Sequence, residues 1–229
     1  MPFYYFDAFT IPLIAVMIFV AWAQFKVKST FSKYAQVATA RGMTGAEAAQ
    51  QILQANGITN VRIEPVAGEL TDHYSPSEQV IRLSEPVCHV ASVAAVGVAA
   101  HEAGHAVQYA RGYAPMKLRS VIIPVTQFSS RAAMPLFLLG LVLGFGIFVD
   151  IGVALFFFSV LFQLVTLPVE FNASRRALEA LRSTGYYSNE ELSSARKVLS
   201  AAAMTYVGAL LTALVQFLRL VAIANRRNR

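Results

Sequence analysis

VASVAAVGVAAHEAGHAVQYAR, residues 90–111, is a long alanine-rich stretch that predicts a single helix. It contains no proline, and the glycine that follows it is a residue that commonly ends a helix. Its first half is apolar, but the small side chains and the arrival of charge at His101 and Glu102 favour a helix in a protein core over a membrane span. We therefore expect this helix to be the central element of the polar part of the protein.

The middle of this helix has the pattern HEAGH, from His101 to His105. Residues four apart lie on one face of a helix about one turn apart, so both imidazoles can bind one zinc ion. Glu102, at the edge of that face, is placed to take a proton from a zinc-activated water and later to return it. The alternative interpretation is a helix with two solvated histidines and an acid between them.

A catalytic zinc site needs three protein ligands and an open position for water, so a third ligand must come from elsewhere in the chain. The candidates are His73, His89, Asp72, Glu170 and Glu179. On the predicted helix His89 would lie about 18 Å from His101, which excludes it as a ligand. Glu170 directly follows an apolar window, where it is either a zinc ligand or a favourable acid in the first turn of a helix. The residues alone leave both interpretations open and keep His73 as a candidate.

Four uncharged or nearly uncharged windows are long enough to cross a bilayer, since about 20 helical residues span its hydrocarbon core. They are residues 8–25, 132–149, 151–169 and 198–218. Hydrophobic residues make up 56% of the chain, which exceeds the content of ordinary soluble proteins and indicates a lipid bilayer as its environment. The first window precedes Lys26 and Lys28, whereas the basic residues of a cleaved signal peptide come before its apolar run. We therefore interpret this window as a retained anchor.

The basic residues flank the apolar windows and form no single stripe, so the net charge of +6 does not indicate a nucleic-acid partner. Lys26, Lys28 and Lys33 follow the first window, and the positive-inside rule therefore places the next polar segment in the cytoplasm. Four full crossings would put the C-terminal arginines outside, against the rule, and the sequence leaves that conflict open.

Asp150 is expected at the tip of a transmembrane hairpin. The single cysteine, Cys88, excludes an internal disulfide.

Local signals divide the polar segments into helices and strands. Thr44 and Glu47 have capping-box spacing at the start of a predicted helix near 44–56. Residues 61–66 and 79–83 predict two short strands, which we expect to form a hairpin with a wide connection. The strand at 79–83 is expected to be an exposed edge near the zinc, where an extended substrate could pair with it.

The chain is predicted to consist of five segments in order. They are an N-terminal transmembrane anchor (1–25), a cytoplasmic region with the HExxH helix (26–131), a transmembrane hairpin (132–169), a cytoplasmic helical segment with Glu170 as a candidate third zinc ligand (170–197), and a C-terminal transmembrane helix with a basic tail (198–229). Within the fourth segment, the sequence predicts that one helix breaks at residues 183–185 and that a new helix begins after Ser188.

Three separated motifs resemble the YugP-type membrane zinc metallopeptidases: GELTDHYSP at 68–76, HEAGHAVQ at 101–108 and EFNASRRAL at 170–178. The resemblance covers nearly the whole chain. This family is similar to the HtpX-like peptidases of the gluzincin type, whose third zinc ligand is a glutamate on a helix downstream of HExxH, so the resemblance assigns that role to Glu170. That pattern often has an aspartate where this chain has Ser174, which leaves Asn172 or Ser174 to support the first histidine through a neutral hydrogen bond.

These patterns predict a mostly α membrane protein with a zincin-like HExxH helix, a small α+β element and about four transmembrane helices. The predicted function is a multi-pass zinc-dependent endopeptidase of the cell membrane, with Zn²⁺ and the active site at the cytoplasmic face and a peptide or protein as substrate. The alternative is a non-proteolytic membrane scaffold or chaperone partner with a structural zinc, for which four protein ligands would be the evidence. The oxyanion-stabilising donor is open among His73, Arg175, Tyr187 and Tyr206.

Overall fold

The computed structural model describes residues 7–227, and helices dominate this part of the chain. Its seven helices and three strands follow one another as α1 (Thr10–Ala35), α2 (Gly45–Ala55), β1 (Arg62–Val66), β2 (His73–Ser75), β3 (Val80–Ser84), α3 (Glu85–Cys88), α4 (Val93–Ala110), α5 (Ala114–Leu143), α6 (Gly146–Ser183) and α7 (Asn189–Arg227). Four of the helices, α1, α5, α6 and α7, are long and apolar enough to cross a membrane. The predicted fold class, a mostly α membrane protein with a small sheet, is confirmed.

The chain forms two compact units, and each combines segments that are distant in sequence. The first consists of the described parts of Met1–Ala23, Lys117–Pro168 and Thr205–Arg229. The second consists of Gln24–Met116 and Val169–Met204. The second unit therefore contains the sheet, the central helix and the residues around Glu170.

The helices of the first unit expose apolar side chains and pack through glycines. Val142, for example, is 82% exposed. A Cβ on Gly140 would lie 2.6 Å from the backbone nitrogen of Val149, and one on Gly152 would lie 2.7 Å from the Cβ of Phe137. Neither position has room for a side chain, so α5 and α6 approach each other as closely as helices do at small residues inside membranes.

The turn between α5 and α6 lies earlier than the sequence predicts. Gly144 has a φ of +73°, a left-handed conformation that glycine adopts without strain, and α6 begins two residues later. Asp150 is exposed but lies inside α6, and its predicted position at the tip of the turn is wrong. The helix then continues without a break through Glu170 to Ser183, across the predicted segment boundary after residue 169.

The core of the second unit is built around α4. Small side chains line this helix and let its neighbours approach closely: Ala95, Ala99, Ala100, Ala103 and Ala106 are all buried. The helix begins at Val93, because the Ser92 side chain accepts a hydrogen bond from the backbone N–H of Ala95 and caps the first turn. The predicted helix over 90–111 is therefore shorter at its start. His89 lies outside it, after α3.

The three strands form one mixed sheet in the order β1-β3-β2. β3 pairs with β1 in parallel and with β2 in antiparallel orientation. The predicted hairpin between the strands at 61–66 and 79–83 is therefore wrong, and so is the prediction that 79–83 forms an exposed edge. The physical reason is burial: Val80, Ile81, Leu83 and Ser84 are all buried. Such a strand at an edge would bury backbone groups without partners.

Two other predicted helix starts, near Thr44 and after Ser188, are confirmed by their caps. Thr44 and Glu47 form a complete capping box at the start of α2. At the start of α7, Ser188 accepts from the backbone N–H of Glu191, whose carboxylate accepts from the backbone N–H of Ser188. These contacts lie within four residues of sequence and stabilise the helix ends locally.

The contact between α4 and α6 depends on a glycine. A Cβ on Gly104 would lie 2.7 Å from the carbonyl oxygen of Ala173, so the two backbones approach more closely than any other residue would allow. At Gly97, also in α4, a Cβ would lie 3.5 Å from the Cβ of Ala195, which is an ordinary contact.

Gly104→Ala is expected to destabilise the protein, whereas Gly97→Ala is expected to be neutral or stabilising. The overlap at Gly104 is with backbone, which cannot rotate away, and overpacking of this kind costs about 1–3 kcal/mol. At Gly97 the added methyl group fits, and replacing glycine inside a helix stabilises by about 0.5–1 kcal/mol. Thermal unfolding in detergent, followed by circular dichroism, measures both changes. Equal unfolding temperatures would contradict the close approach of α4 and α6.

Candidate metal centre

His101 and His105 project from the same face of α4, as their spacing predicts. Their Nε2 atoms lie 3.1 Å apart, and the rings meet edge to face with centroids 4.6 Å apart. The side chain of His101 is 14% exposed and that of His105 is 7% exposed. Both histidines therefore present the same nitrogen to one nearly buried point, and the alternative of two solvated histidines is wrong.

Glu170 reaches that point from α6. Its Oε2 lies 3.1 Å from Nε2 of His101 and 3.5 Å from Nε2 of His105. Glu170 is 2% exposed and lies deep inside α6, far from the first turn of any helix. The alternative interpretation, a favourable acid in a first helical turn, therefore does not apply.

The three side chains fit a zinc ion. Their donor atoms all lie within 4.8 Å of one another. Zinc binds nitrogen and oxygen ligands at about 2.0–2.2 Å, which places neighbouring ligands of a tetrahedral site about 3.3 Å apart. The observed separations of 3.1, 3.1 and 3.5 Å agree with that spacing. Across residues 7–227 no fourth histidine, cysteine or carboxylate joins the group, so one tetrahedral position is left for a water or a substrate.

Glu102 is buried beside this group. Burial raises its pKa to about 7, and the negative charges of Glu170 and Asp72 act in the same direction. The nearby His101 ring and a hydrogen bond from the backbone N–H of Tyr74 in β2 lower the pKa and offset part of that increase. A carboxyl group whose pKa lies near neutrality can accept a proton and release it again in one reaction cycle.

Neutral hydrogen bonds orient both histidine rings. Ser174 Oγ lies 3.0 Å from Nδ1 of His101, which confirms the predicted contact from a neutral side chain. Asn172, the other predicted partner of His101, instead accepts a hydrogen bond from Gln108. The Oε1 of Gln108 lies 3.0 Å from Nδ1 of His105. Each ring is thus held at Nδ1 while its Nε2 faces the candidate metal position.

Sequence reasoning missed the role of Gln108. The sequence signal that could have revealed this role is the spacing between His105 and Gln108. A residue three positions after His105 lies on the same face of the helix. A glutamine is chemically unremarkable by sequence alone, and only its complete burial distinguishes it from a solvated side chain.

The other candidate ligands lie outside the group. His73 is exposed, and its Nδ1 lies 2.8 Å from the carbonyl oxygen of Thr71. Asp72 accepts hydrogen bonds from the backbone N–H and the hydroxyl of Ser84 and so braces the end of β3. His89 and Glu179 are exposed and belong to no cluster of candidate ligands in the described part of the chain.

The candidate oxyanion donors lie in different surroundings. Tyr187 donates a hydrogen bond to the sulfur of Met43, and burial raises its pKa to about 12. Arg175 is exposed on α6. Tyr206 belongs to the first unit. None of these features assigns an oxyanion role to one side chain.

Comparison with known proteins identifies the family. The profile of a family described as "Putative neutral zinc metallopeptidase" matches residues 9–225. The chain therefore belongs to this family of zinc metallopeptidases, whose cofactor is zinc. It is similar to a protein named "Putative membrane protease YugP" from Bacillus subtilis (strain 168), with 52% identity over 202 residues that cover 88% of this chain and 90% of the relative. The resemblance to YugP-type proteins is thereby confirmed. No solved structure matches the chain.

Glu170→Ala is expected to weaken zinc binding strongly, because only the two histidines would remain as protein ligands. Glu179→Ala, nine residues later in the same helix, is the matched control and should retain zinc like the wild type. Dialysis of both purified proteins against a mild chelator, followed by metal analysis, measures the difference. Equal zinc content in the two variants would show that Glu170 is not a ligand and would return His73 to consideration.

Proposed function

We propose that this protein is a membrane-bound endopeptidase that depends on zinc held by His101, His105 and Glu170. The observation that carries the proposal is the convergence of three donor atoms from α4 and α6, with Glu102 buried next to them as a base. Membership of a zinc metallopeptidase family and four candidate membrane spans support it.

The chemistry divides between the metal and Glu102. A zinc ion held by His101, His105 and Glu170 would supply a Lewis acid that polarises the scissile carbonyl and makes an adjacent water easier to deprotonate. Glu102 takes a proton from that water as the water oxygen attacks the carbonyl carbon. It then delivers the proton to the amide nitrogen as the C–N bond breaks, so one carboxylate serves as base and then as acid.

The outer edge of β2 is the place for an extended substrate. β2 pairs with β3 on one side, and no strand pairs with its other side in the sheet of the described chain. The backbone N–H of Tyr74, in the middle of β2, donates to Glu102 and so points away from β3. This edge therefore faces the proposed base, and a peptide that pairs with it would run past the reacting centre.

The alternative, a membrane scaffold or chaperone partner with a structural zinc, requires a closed site. Structural zinc sites almost always have four protein ligands. The group has three in the part of the chain that the structure describes, and a buried glutamate next to them would have no task in a structural site. Both features favour the peptidase.

We place the metal site at the cytoplasmic face of the cell membrane. Lys26, Lys28 and Lys33 follow the first apolar window, and positive charge at the end of a span favours the cytoplasm. Between α4 and Glu170 the protein then crosses the membrane twice, through α5 and the first part of α6. The segments that carry the histidines and Glu170 therefore lie on the same side.

Glu102→Gln is expected to keep zinc and lose cleavage. The amide has nearly the same size but cannot accept the proton, and loss of a general base costs about 100-fold to 10,000-fold in rate. Cleavage of soluble and bilayer-embedded protein substrates by purified, reconstituted protein measures the effect, with Glu179→Gln as a control of equal charge change. Undiminished proteolysis by Glu102→Gln would remove the proposed mechanism.

A cysteine introduced at Lys33 or at Glu179 is expected to react with an impermeant thiol reagent only from the cytoplasmic side. A cysteine at Phe145, in the turn between α5 and α6, should react only from the outside. Cys88 is 4% exposed, so the native thiol adds little background. Labelling of the Lys33 and Glu179 positions from opposite sides would rule out a site built from both segments.

A further inference from the structure

Gln108 is completely buried, yet its side-chain amide makes three hydrogen bonds. Its Nε2 lies 2.8 Å from the carbonyl oxygen of Val169 and 2.9 Å from Oδ1 of Asn172. Its Oε1 lies 3.0 Å from Nδ1 of His105. A buried amide that is satisfied on both sides has a defined orientation, and so do the groups that it contacts.

Arg176 and the Val169 carbonyl together determine the direction of these hydrogen bonds. Its Nε lies 2.7 Å from Oδ1 of Asn172, and a guanidinium can only donate, so the atom that faces it must be the oxygen. That oxygen and the Val169 carbonyl can only accept, so Gln108 must present its NH₂ group to both. The Gln108 oxygen then faces His105, and Nδ1 of His105 must carry the proton.

We infer that Arg176, Asn172 and Gln108 form a positioning chain that keeps the proton of His105 on Nδ1 and leaves the lone pair of Nε2 for the metal. The inference rests on the proposed zinc site. A neutral imidazole can bind a metal only through its unprotonated nitrogen, so the chain selects the tautomer that is ready to bind zinc. The positioning chain begins at the positive charge of Arg176. Because a guanidinium can only donate, the direction of the hydrogen bonds cannot reverse.

His101 is held in a different way. Its Nδ1 faces the hydroxyl of Ser174, which can either donate or accept a hydrogen bond. This contact orients the ring without fixing its tautomer. The positioning chain therefore acts on His105 specifically.

The test compares zinc affinity in variants of the full-length protein, measured by competition with a chromophoric chelator. Gln108→Leu removes the group that holds Nδ1 of His105 and should lower the affinity about 10-fold to 100-fold, as the loss of a group that orients a ligand does. Asn172→Leu leaves the Val169 carbonyl to hold the Gln108 amide and should lower the affinity by a smaller factor. Asn172→Asp should not lower the affinity, because a carboxylate still accepts from both Gln108 and Arg176. The Asn172 pair tests the chain at one position even if Gln108→Leu does not fold.

Two further variants complete the comparison. Arg176→Met removes one of the two groups that fix the direction and should lower the affinity less than Gln108→Leu, because the Val169 carbonyl still favours the same orientation of the Gln108 amide. Arg182→Met, an exposed arginine in the last turn of the same helix, is the matched control and should leave the affinity unchanged.

A second measurement reads the tautomer directly. The protein has 4 histidines, so nitrogen NMR of metal-free protein labelled with ¹⁵N-histidine gives few signals. Comparison with His105→Ala identifies the signals of His105. At a pH where the ring is neutral, the wild type should show a proton on Nδ1 of His105. Gln108→Leu should show a mixture of both tautomers, a change that a merely structural role for Gln108 would not produce.

The outcomes separate this inference from the proposed function, since neither measurement depends on cleavage. Wild-type affinity and tautomer in Gln108→Leu, together with zinc loss in His105→Ala, would overturn the positioning chain and leave the metal site standing. Equal loss of affinity in Asn172→Leu and Asn172→Asp would also overturn the chain. Retention of zinc by His105→Ala would overturn both the chain and the site.

Discussion

The backbone contact between Gly104 in α4 and Ala173 in α6 sets the distance between the two helices that carry the candidate zinc ligands. A side chain at Gly104 would push the carbonyl of Ala173 away, and Glu170, one turn earlier in α6, would move with it. Gln108 reinforces the contact one turn further along α4, where it donates to the Val169 carbonyl. The geometry of the candidate metal centre is therefore a consequence of helix packing.

The same centre explains why a carboxylate can be buried here. Removing an ionised group from water costs several kcal/mol unless other groups compensate for it. Glu170 is 2% exposed and has two imidazole nitrogens within 3.5 Å, and a divalent cation among these atoms would compensate for its charge. Because the ligands come from two helices, zinc binding would also join α4 to α6 and contribute to the stability of the fold.

The sequence predicted those features that depend on local spacing. The HEAGH face of α4 and the capping box at Thr44 follow from periodicity within a few residues, and a family resemblance supplied Glu170. It did not predict the position of β3 between β1 and β2, because strand pairing is non-local and burial decides which strand is central. It also missed Gln108, since only the packing of α6 against α4 converts an ordinary polar residue into a buried hydrogen-bonding partner of His105.

Zinc titration of metal-free, reconstituted protein with cleavage measured in the same samples tests the central claim most directly. The account predicts that proteolysis is absent without metal, rises in proportion to bound zinc and stops rising at one zinc per chain, because three protein ligands and one open position define a single catalytic site. Proteolysis that persists in zinc-free protein, or zinc-saturated protein that cleaves no protein substrate, would contradict it.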